Sequence, residues 1–250
     1  MIIAILLAAG KGTRLKSTEK NKVTIPFFSK PLIVYGVELL TGVTDKTVVV
    51  IGAFAESVKT VLMGQPVEYA LQVDQLGTAH AVSAGMKRID ELRLNPTDLL
   101  IGYGDHTMFY KKETVQKFIA FHKVENTAVS LLTTVSPDAS KLAWGRIIRT
   151  GGGSVTAIVE QKDATATELL ITEINPGFYL VKADFLRQAL AAITPSSVSG
   201  EYYITDMVKI AVQIGQKVAA FKVSFSEVGI GINRREEINE SEKIYLESHK

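Results

Sequence analysis

Residues 2 to 14 read Ile2-Ile3-Ala4-Ile5-Leu6-Leu7-Ala8-Ala9-Gly10-Lys11-Gly12-Thr13-Arg14. An unbroken apolar run that stops at glycine is the pattern of a central strand in a parallel sheet, covered on both faces. The start lacks the basic flank of a secretion signal, and its apolar stretch is short and runs straight into Gly10-Lys11-Gly12. Ligands of open α/β sheets bind at the carboxyl ends of the strands. Glycines there let backbone N–H groups approach a phosphate, and Arg14 adds a forked donor for its oxygens. A dinucleotide fingerprint would need a third glycine where Leu15 stands, and a P-loop would need a longer glycine loop. The motif alone leaves two readings open: an ordinary strand-to-helix turn and a phosphate cradle.

Working outward, residues 47–51 and 98–101 repeat the apolar strand pattern, the second running into Gly102-Tyr103-Gly104-Asp105. Residues 31–40, 55–62 and 79–92 carry apolar positions at helical spacing. The alternation predicts a doubly wound, mostly parallel α/β sheet. The second half reads as richer in strands: 127–135, a hairpin of 145–148 with 155–160 around Gly151-Gly152-Gly153, one strand over 174–181, and another over 218–223. Helices are predicted over 183–192, 204–214 and 235–246. No repeat or linker interrupts the 250 residues, so one domain is expected, with residues 1–125 as the half that holds a nucleotide, 126–235 as a half that closes over a co-substrate and 236–250 as a terminal helix.

Composition excludes several classes. Lys and Arg number 28 against 26 Asp and Glu, and a net charge of +2 is no footprint of nucleic-acid binding. Without cysteine there is no thiol nucleophile, disulfide or thiolate zinc site. No apolar run is long enough to span a membrane, and a cytoplasmic protein is expected. The histidines form no pair at metal spacing; His122 and His249 read as surface residues, and His80 as a packing or capping group.

Several segments occur in an order that resembles one family. They are Leu6 to Arg14, Gln72 with Gln75-Leu76-Gly77-Thr78-Ala79-His80-Ala81, Tyr103-Gly104-Asp105, Trp144-Gly145-Arg146-Ile147, Val159-Glu160-Gln161-Lys162, Glu173-Ile174-Asn175-Pro176-Gly177, Gly200-Glu201-Tyr202-Tyr203-Ile204-Thr205-Asp206, and Gly231-Ile232-Asn233. In these the chain is similar to the sugar-1-phosphate nucleotidyltransferases, above all to the uridyltransferase domain of bacterial N-acetylglucosamine-1-phosphate uridyltransferases.

The resemblance implies a Rossmann-like nucleotide-diphospho-sugar transferase fold and a reaction of UTP with a sugar 1-phosphate, N-acetylglucosamine 1-phosphate foremost. It implies catalytic roles for Arg14 and Lys22, and nucleotide contacts from Leu7, Ala8, Ala9, Gly10, Gly12, Thr13, Gln72, Gly77, Thr78, Tyr103 and Gly104. It places the sugar against Gly145, Glu160, Asn175 and Thr205, and Mg²⁺ on Asp105 and Asn233. Each residue type suits its role. A glutamine amide both donates and accepts, as a pyrimidine edge requires, and carboxylate oxygens hold hard cations. Plainer readings stand beside these: a surface glutamine at Gln72, a capping aspartate at Asp105, a solvent-facing Glu160 and a turn asparagine at Asn175.

Three departures from the family pattern stand out: Asn21 replaces the proline before Lys22, His106-Thr107 replaces an apolar pair, and Pro176 replaces a small polar residue. Pro176 and the His106-Thr107 pair motivate a second expectation, glucose 1-phosphate with UTP or dTTP or another phosphorylated alcohol, and a third is a silent nucleotide-binding regulator, because related folds in the wider family occur as regulators. The hexapeptide repeats of the bifunctional bacterial enzymes do not occur in these residues, so acetyl transfer and the trimer it builds are not expected.

Overall fold

The computed structural model describes residues 1–12, 20–136, 138–231 and 235–248. The opening apolar run forms β1 (Ile2–Ala8), paired in parallel with β4 (Lys46–Ile51) on one side and β6 (Asp98–Tyr103) on the other. Its side chains alternate between two cores, as the period of a strand dictates. Ile3, Ile5 and Leu7 face one layer and Ala4, Leu6 and Ala8 the other. This two-sided burial is why the strand is apolar throughout.

The first layer holds α3 (Thr78–Glu91), α6 (Ala183–Ala192) and α7 (Asp206–Gln213). Ala79, Val82, Met86 and Ile89 of α3 recur at helical spacing and are all buried. The opposite layer holds α1 (Leu32–Thr41), α2 (Ala55–Val61) and α4 (Lys112–Glu125), with Ile33, Val37, Leu40, Val58 and Phe118 buried. Each such side chain contributes about 1.5–3 kcal/mol by leaving water.

Among the described residues the sheet runs β5 (Val67–Leu71), β4, β1, β6, β11 (Tyr179–Lys182), β7 (Val129–Val135), β10 (Glu173–Asn175), β8 (Gly145–Arg149), β9 (Val155–Val159), with β12 (Val218–Val223) parallel to β7. The sheet is thus mixed: its first four strands are parallel, and β8 to β11 enter antiparallel. The doubly wound α/β expectation holds, and so does the glycine-turned hairpin of β8 and β9.

Some sequence expectations need correction. The single strand over 174–181 is two, β10 and β11, separated at Pro176-Gly177-Phe178. Gly177 has φ +82°, and a Cβ there would lie 2.2 Å from the Tyr103 ring, so the break requires glycine. The helix expected from residue 204 begins at Asp206. β5 and α4 lie in segments given no element from the sequence. His122 is not a surface residue: it is 2% exposed, its Nδ1 within 2.9 Å of the Ser130 hydroxyl and 3.1 Å of Thr127, and its Nε2 3.3 Å from Asp98. His249 lies outside the described residues.

The terminal helix α9 (Arg235–Ser248) packs through Tyr245 onto Phe27, Phe28, Tyr35 and Phe109, with ring centroids 5.4–6.1 Å apart. Phe27 belongs to the short hairpin β2 (Pro26–Phe27) and β3 (Lys30–Pro31). No helix among the described residues is long and apolar enough to cross a membrane.

Candidate functional site

The sheet order turns at β1: the chain leaves β1 towards β4 on one side and later returns as β6 on the other. A crevice at the carboxyl ends of the strands forms at such a switch point. A cleft of about 270 Å³ lies there. Leu7, Ala8, Ala9 and Gly10 come from the end of β1, Tyr103 and Asp105 from the end of β6, and Gln72 from the residue after β5. Gly77 and Thr78 close the cleft from the start of α3.

A second cavity, about 250 Å³, opens beside it. Trp144, Gly145, Glu160, Asn175, Pro176 and Tyr203 line it, from the antiparallel part of the sheet and the loop before α7. Lys22, Thr78, Tyr103, Asp105 and Glu201 border both spaces, so the two lie side by side.

At the junction the Lys22 ammonium pairs with Asp105 Oδ2. Burial raises the Asp105 carboxyl, but the charge and hydrogen bond of Lys22 outweigh it and leave the group below the ordinary carboxylate range. Asp105 is therefore an anion facing the cleft. Gly104 donates its N–H to Leu7 O at 2.9 Å, tying the end of β6 to β1 and setting where Asp105 projects.

Lys22 is placed by its neighbour. Asn21, 1% exposed, has its Nδ2 among the carbonyls of Ala8 at 2.9 Å, Gly10 at 3.1 Å and Ala53 at 2.8 Å, which share its two hydrogens, while Oδ1 accepts Val23 N–H at 3.2 Å. A proline could make none of these side-chain bonds. Asn21 thus clasps the end of β1 to the residue before Lys22, and Lys22 Cβ lies 3.2 Å from where a Cβ on Gly12 would stand. Sequence reasoning treated Asn21 only as a departure; no local pattern signals a side chain whose partners are carbonyls up to 32 residues away.

Gln72 is 4% exposed, so it is no surface glutamine. Its amide nitrogen meets Gly77 O at 3.1 Å and His80 Nδ1 at 3.2 Å. The Gly77-Thr78 turn is locked to the segment before α7: Tyr202 N–H donates to Leu76 O, Ala79 N–H to Tyr202 O, and Ile204 N–H to the Thr78 hydroxyl.

In the second cavity burial raises the Glu160 carboxyl; the Thr205 hydroxyl, donating to Oε1 at 2.8 Å, opposes this, and Asp163, Asp206 and Glu201 push it up further. Thr205 is 1% exposed and lines neither space, so it stands behind Glu160. Gly12 and Gly104 likewise line neither. Asn175 is both a wall residue and a turn residue: Nδ2 donates to the Tyr179 hydroxyl at 2.6 Å and Oδ1 accepts Gly177 N–H at 3.1 Å. Burial pushes the His106 imidazole down to about 4, with the Asp105 charge acting the other way, so the ring is neutral at pH 7. It packs edge-on to Trp144 at 4.8 Å. The buried Arg146 guanidinium donates to Trp144 O and, at 2.8 Å, to Ala139 O, fixing the segment that carries this wall. Thr13, Arg14 and Asn233 lie outside the described residues.

The chain matches the nucleotidyl transferase family over residues 3–229. The chain belongs to that family. It is 42% identical over 241 residues to the bifunctional protein GlmU of Exiguobacterium sibiricum, covering 96% of this chain and 52% of that protein. The GlmU of Brevibacillus brevis is 39% identical over 242 residues, covering 96% and 51%. The chain therefore spans about half the length of these curated relatives. Among solved structures, a putative glucose-1-phosphate thymidylyltransferase from Bacillus anthracis, in complex with a sucrose, aligns with a TM-score of 0.76 at 17% identity, covering 98% of this chain and 95% of that one. UDP-glucose pyrophosphorylase complexed with UDP-glucose aligns with a TM-score of 0.73 at 17% identity, covering 99% of each. These two likenesses establish the nucleotidyltransferase fold.

Proposed function

We propose that the chain joins UTP to a sugar 1-phosphate, N-acetylglucosamine 1-phosphate foremost, releasing pyrophosphate. The observation that carries this reading is that the two spaces share a wall of Lys22, Thr78, Tyr103, Asp105 and Glu201. A nucleotide in the cleft beneath β1 and a sugar in the cavity beside Glu160 would meet where a cation and an anion face each other.

In the proposed step an oxygen of the sugar phosphate attacks the α-phosphorus in line. A new P–O bond forms, and the bond to the β-phosphate bridging oxygen breaks. The attacking oxygen is already ionised, so no protein nucleophile or base is needed. Catalysis is positioning and charge stabilisation. Lys22 would move from Asp105 to the phosphates when they arrive. Arg14 would serve the pyrophosphate side, and Thr13 the backbone cradle, on the strength of the family likeness. Glu160 and Asn175 would hold sugar hydroxyls, with Thr205 orienting Glu160.

Mg²⁺ is part of the proposal. Among the described residues no cluster of three His, Asp or Glu groups could hold a metal alone. A cation bound through one or two carboxylates plus substrate phosphates needs no such cluster. Asp105, kept anionic and facing the cleft, is the carboxylate; Asn233 would be its partner. The ion would neutralise charge on the transferring phosphates.

The test is a panel of nucleoside triphosphates and sugar 1-phosphates with pyrophosphate release as readout. UTP with N-acetylglucosamine 1-phosphate is expected to be fastest, and release should stop on chelation and return with Mg²⁺. A second reading, glucose 1-phosphate, draws on Asn175, whose amide is already bonded at both ends and has less left for an acetamido group. The same panel separates the two. UTP binding with no turnover on any sugar phosphate would favour a regulator instead.

A further inference from the structure

The Gln72 carboxamide has two hydrogens, and both point into the protein: towards Gly77 O at 3.1 Å and His80 Nδ1 at 3.2 Å. A carbonyl oxygen only accepts, so Gly77 settles which end of the amide is nitrogen. Nδ1 of His80 must then accept as well, which puts the proton of a neutral ring on Nε2. The Gln72 oxygen takes no hydrogen bond from any described residue, and Gln72 lines the cleft. What Gln72 offers a ligand is therefore an acceptor alone.

We propose that His80 is a positioning residue for base selection: by holding the Gln72 nitrogen it presents only the Gln72 oxygen to the nucleobase, so the cleft favours a base with a ring N–H on that edge. Uracil and thymine carry such an N–H at N3. Cytosine has a lone pair at N3 beside an amine, and a freely turning carboxamide could pair with both. The held amide cannot donate to N3, so two acceptors oppose each other there. Gly77 fixes the nitrogen end and holds one hydrogen of Gln72; His80 holds the second, so that neither hydrogen is left to pair with a base in the cleft. His80 can do this because it lies in the first turn of α3, on the helix that Gly77 caps. The inference rests on the nucleotide reading of the cleft.

Two variants and a spectrum test it. His80→Leu removes the acceptor, and His80→Asn puts a carboxamide oxygen near the place of Nδ1. Dissociation constants for UTP and CTP are measured by calorimetry with Mg²⁺, alongside KM for each substrate. The UTP-to-CTP preference should narrow in His80→Leu by about five- to tenfold, the range of one net hydrogen bond. His80→Asn should return it to within about twofold of the parent. The change should fall on nucleotide binding and leave KM for the sugar phosphate unmoved. In a long-range ¹H–¹⁵N spectrum of the parent chain at pH 7.5, His80 should show an unprotonated Nδ1 and a protonated Nε2, which needs no variant to fold. A protonated Nδ1, or a His80→Leu chain that keeps the parent's full preference, overturns the proposal. A parent chain with no preference for uracil or thymine nucleotides overturns the nucleotide reading and this inference with it. A uracil-preferring parent with an indifferent His80→Leu overturns only the role of His80.

Discussion

Asn21 and Glu160 show how single side chains set this site at opposite signs of stability. Asn21 serves three buried or half-buried carbonyls, so Asn21→Ala should destabilise the chain by roughly 2 kcal/mol, the cost of leaving such acceptors unpaired. Urea unfolding measures that loss, and KM for UTP should rise because Lys22 loses its anchor. Glu160 works the other way. Burial, and the nearby Asp163, Asp206 and Glu201, raise its carboxyl above the ordinary value of 4.5. The folded state thus holds this proton more tightly than the unfolded chain does. Its contribution to stability is greatest below pH 4.5 and is lost as pH rises through the raised folded value. Once ionised, the group costs the folded state stability. Glu160→Gln should therefore raise the thermal midpoint at pH 7 while raising KM for the sugar phosphate about tenfold, the trade expected of a strained functional group. A lowered midpoint, or an unchanged KM, would remove Glu160 from the sugar site.

At the scale of elements, the turn into α3 decides whether the cleft exists. Gly77 has φ +118°, and a Cβ there would lie 2.5 Å from Tyr202 O and 2.6 Å from Tyr202 N. Both neighbours are backbone, bonded to this turn through Leu76 and Ala79, so they have little room to yield. Gly77→Ala should cost about 2–3 kcal/mol in urea unfolding and raise KM for UTP at least about tenfold, since the turn carries the carbonyl that holds Gln72. Elements differed in how plainly they read. β1 and β4 are apolar because helices cover both faces, and the run alone announces them. β5, Val67-Glu68-Tyr69-Ala70-Leu71, lies at the sheet edge and buries only Ala70 fully, so its pattern is too weak to stand out. Residues 174–181 look continuous because strand propensity carries across Pro176-Gly177; the break follows from the Tyr103 ring against Gly177, which belongs to another strand.

For the whole molecule, the site is the line along which the parallel and antiparallel parts of one sheet meet. Asp105 stands on that line with Lys22, and Asp105→Asn should cut pyrophosphate release by at least about 1,000-fold, the scale of losing a charge-positioning group. The thermal midpoint should fall only modestly, because the loss is one ion pair with Lys22 at the edge of the cleft, whose depressed carboxyl favours the folded state at pH 7. Turnover near the parent rate would exclude Asp105 from the reaction. The sequence by itself determined the apolar runs that become two-sided strands, the alternation that winds helices on both faces, the glycine turn after β1, and an ordered set of motifs that tied the chain to its family. Those signals are local, written in period and residue type. Only the tertiary structure decided that Asn21 ties the segment before Lys22 to the end of β1, that Thr205 stands behind Glu160, that His122 is buried between Asp98, Thr127 and Ser130, and that the Gln72 amide faces His80. Each depends on a polar group meeting partners that the fold alone brings near, and a polar side chain's role is set by those partners rather than by its place in a pattern.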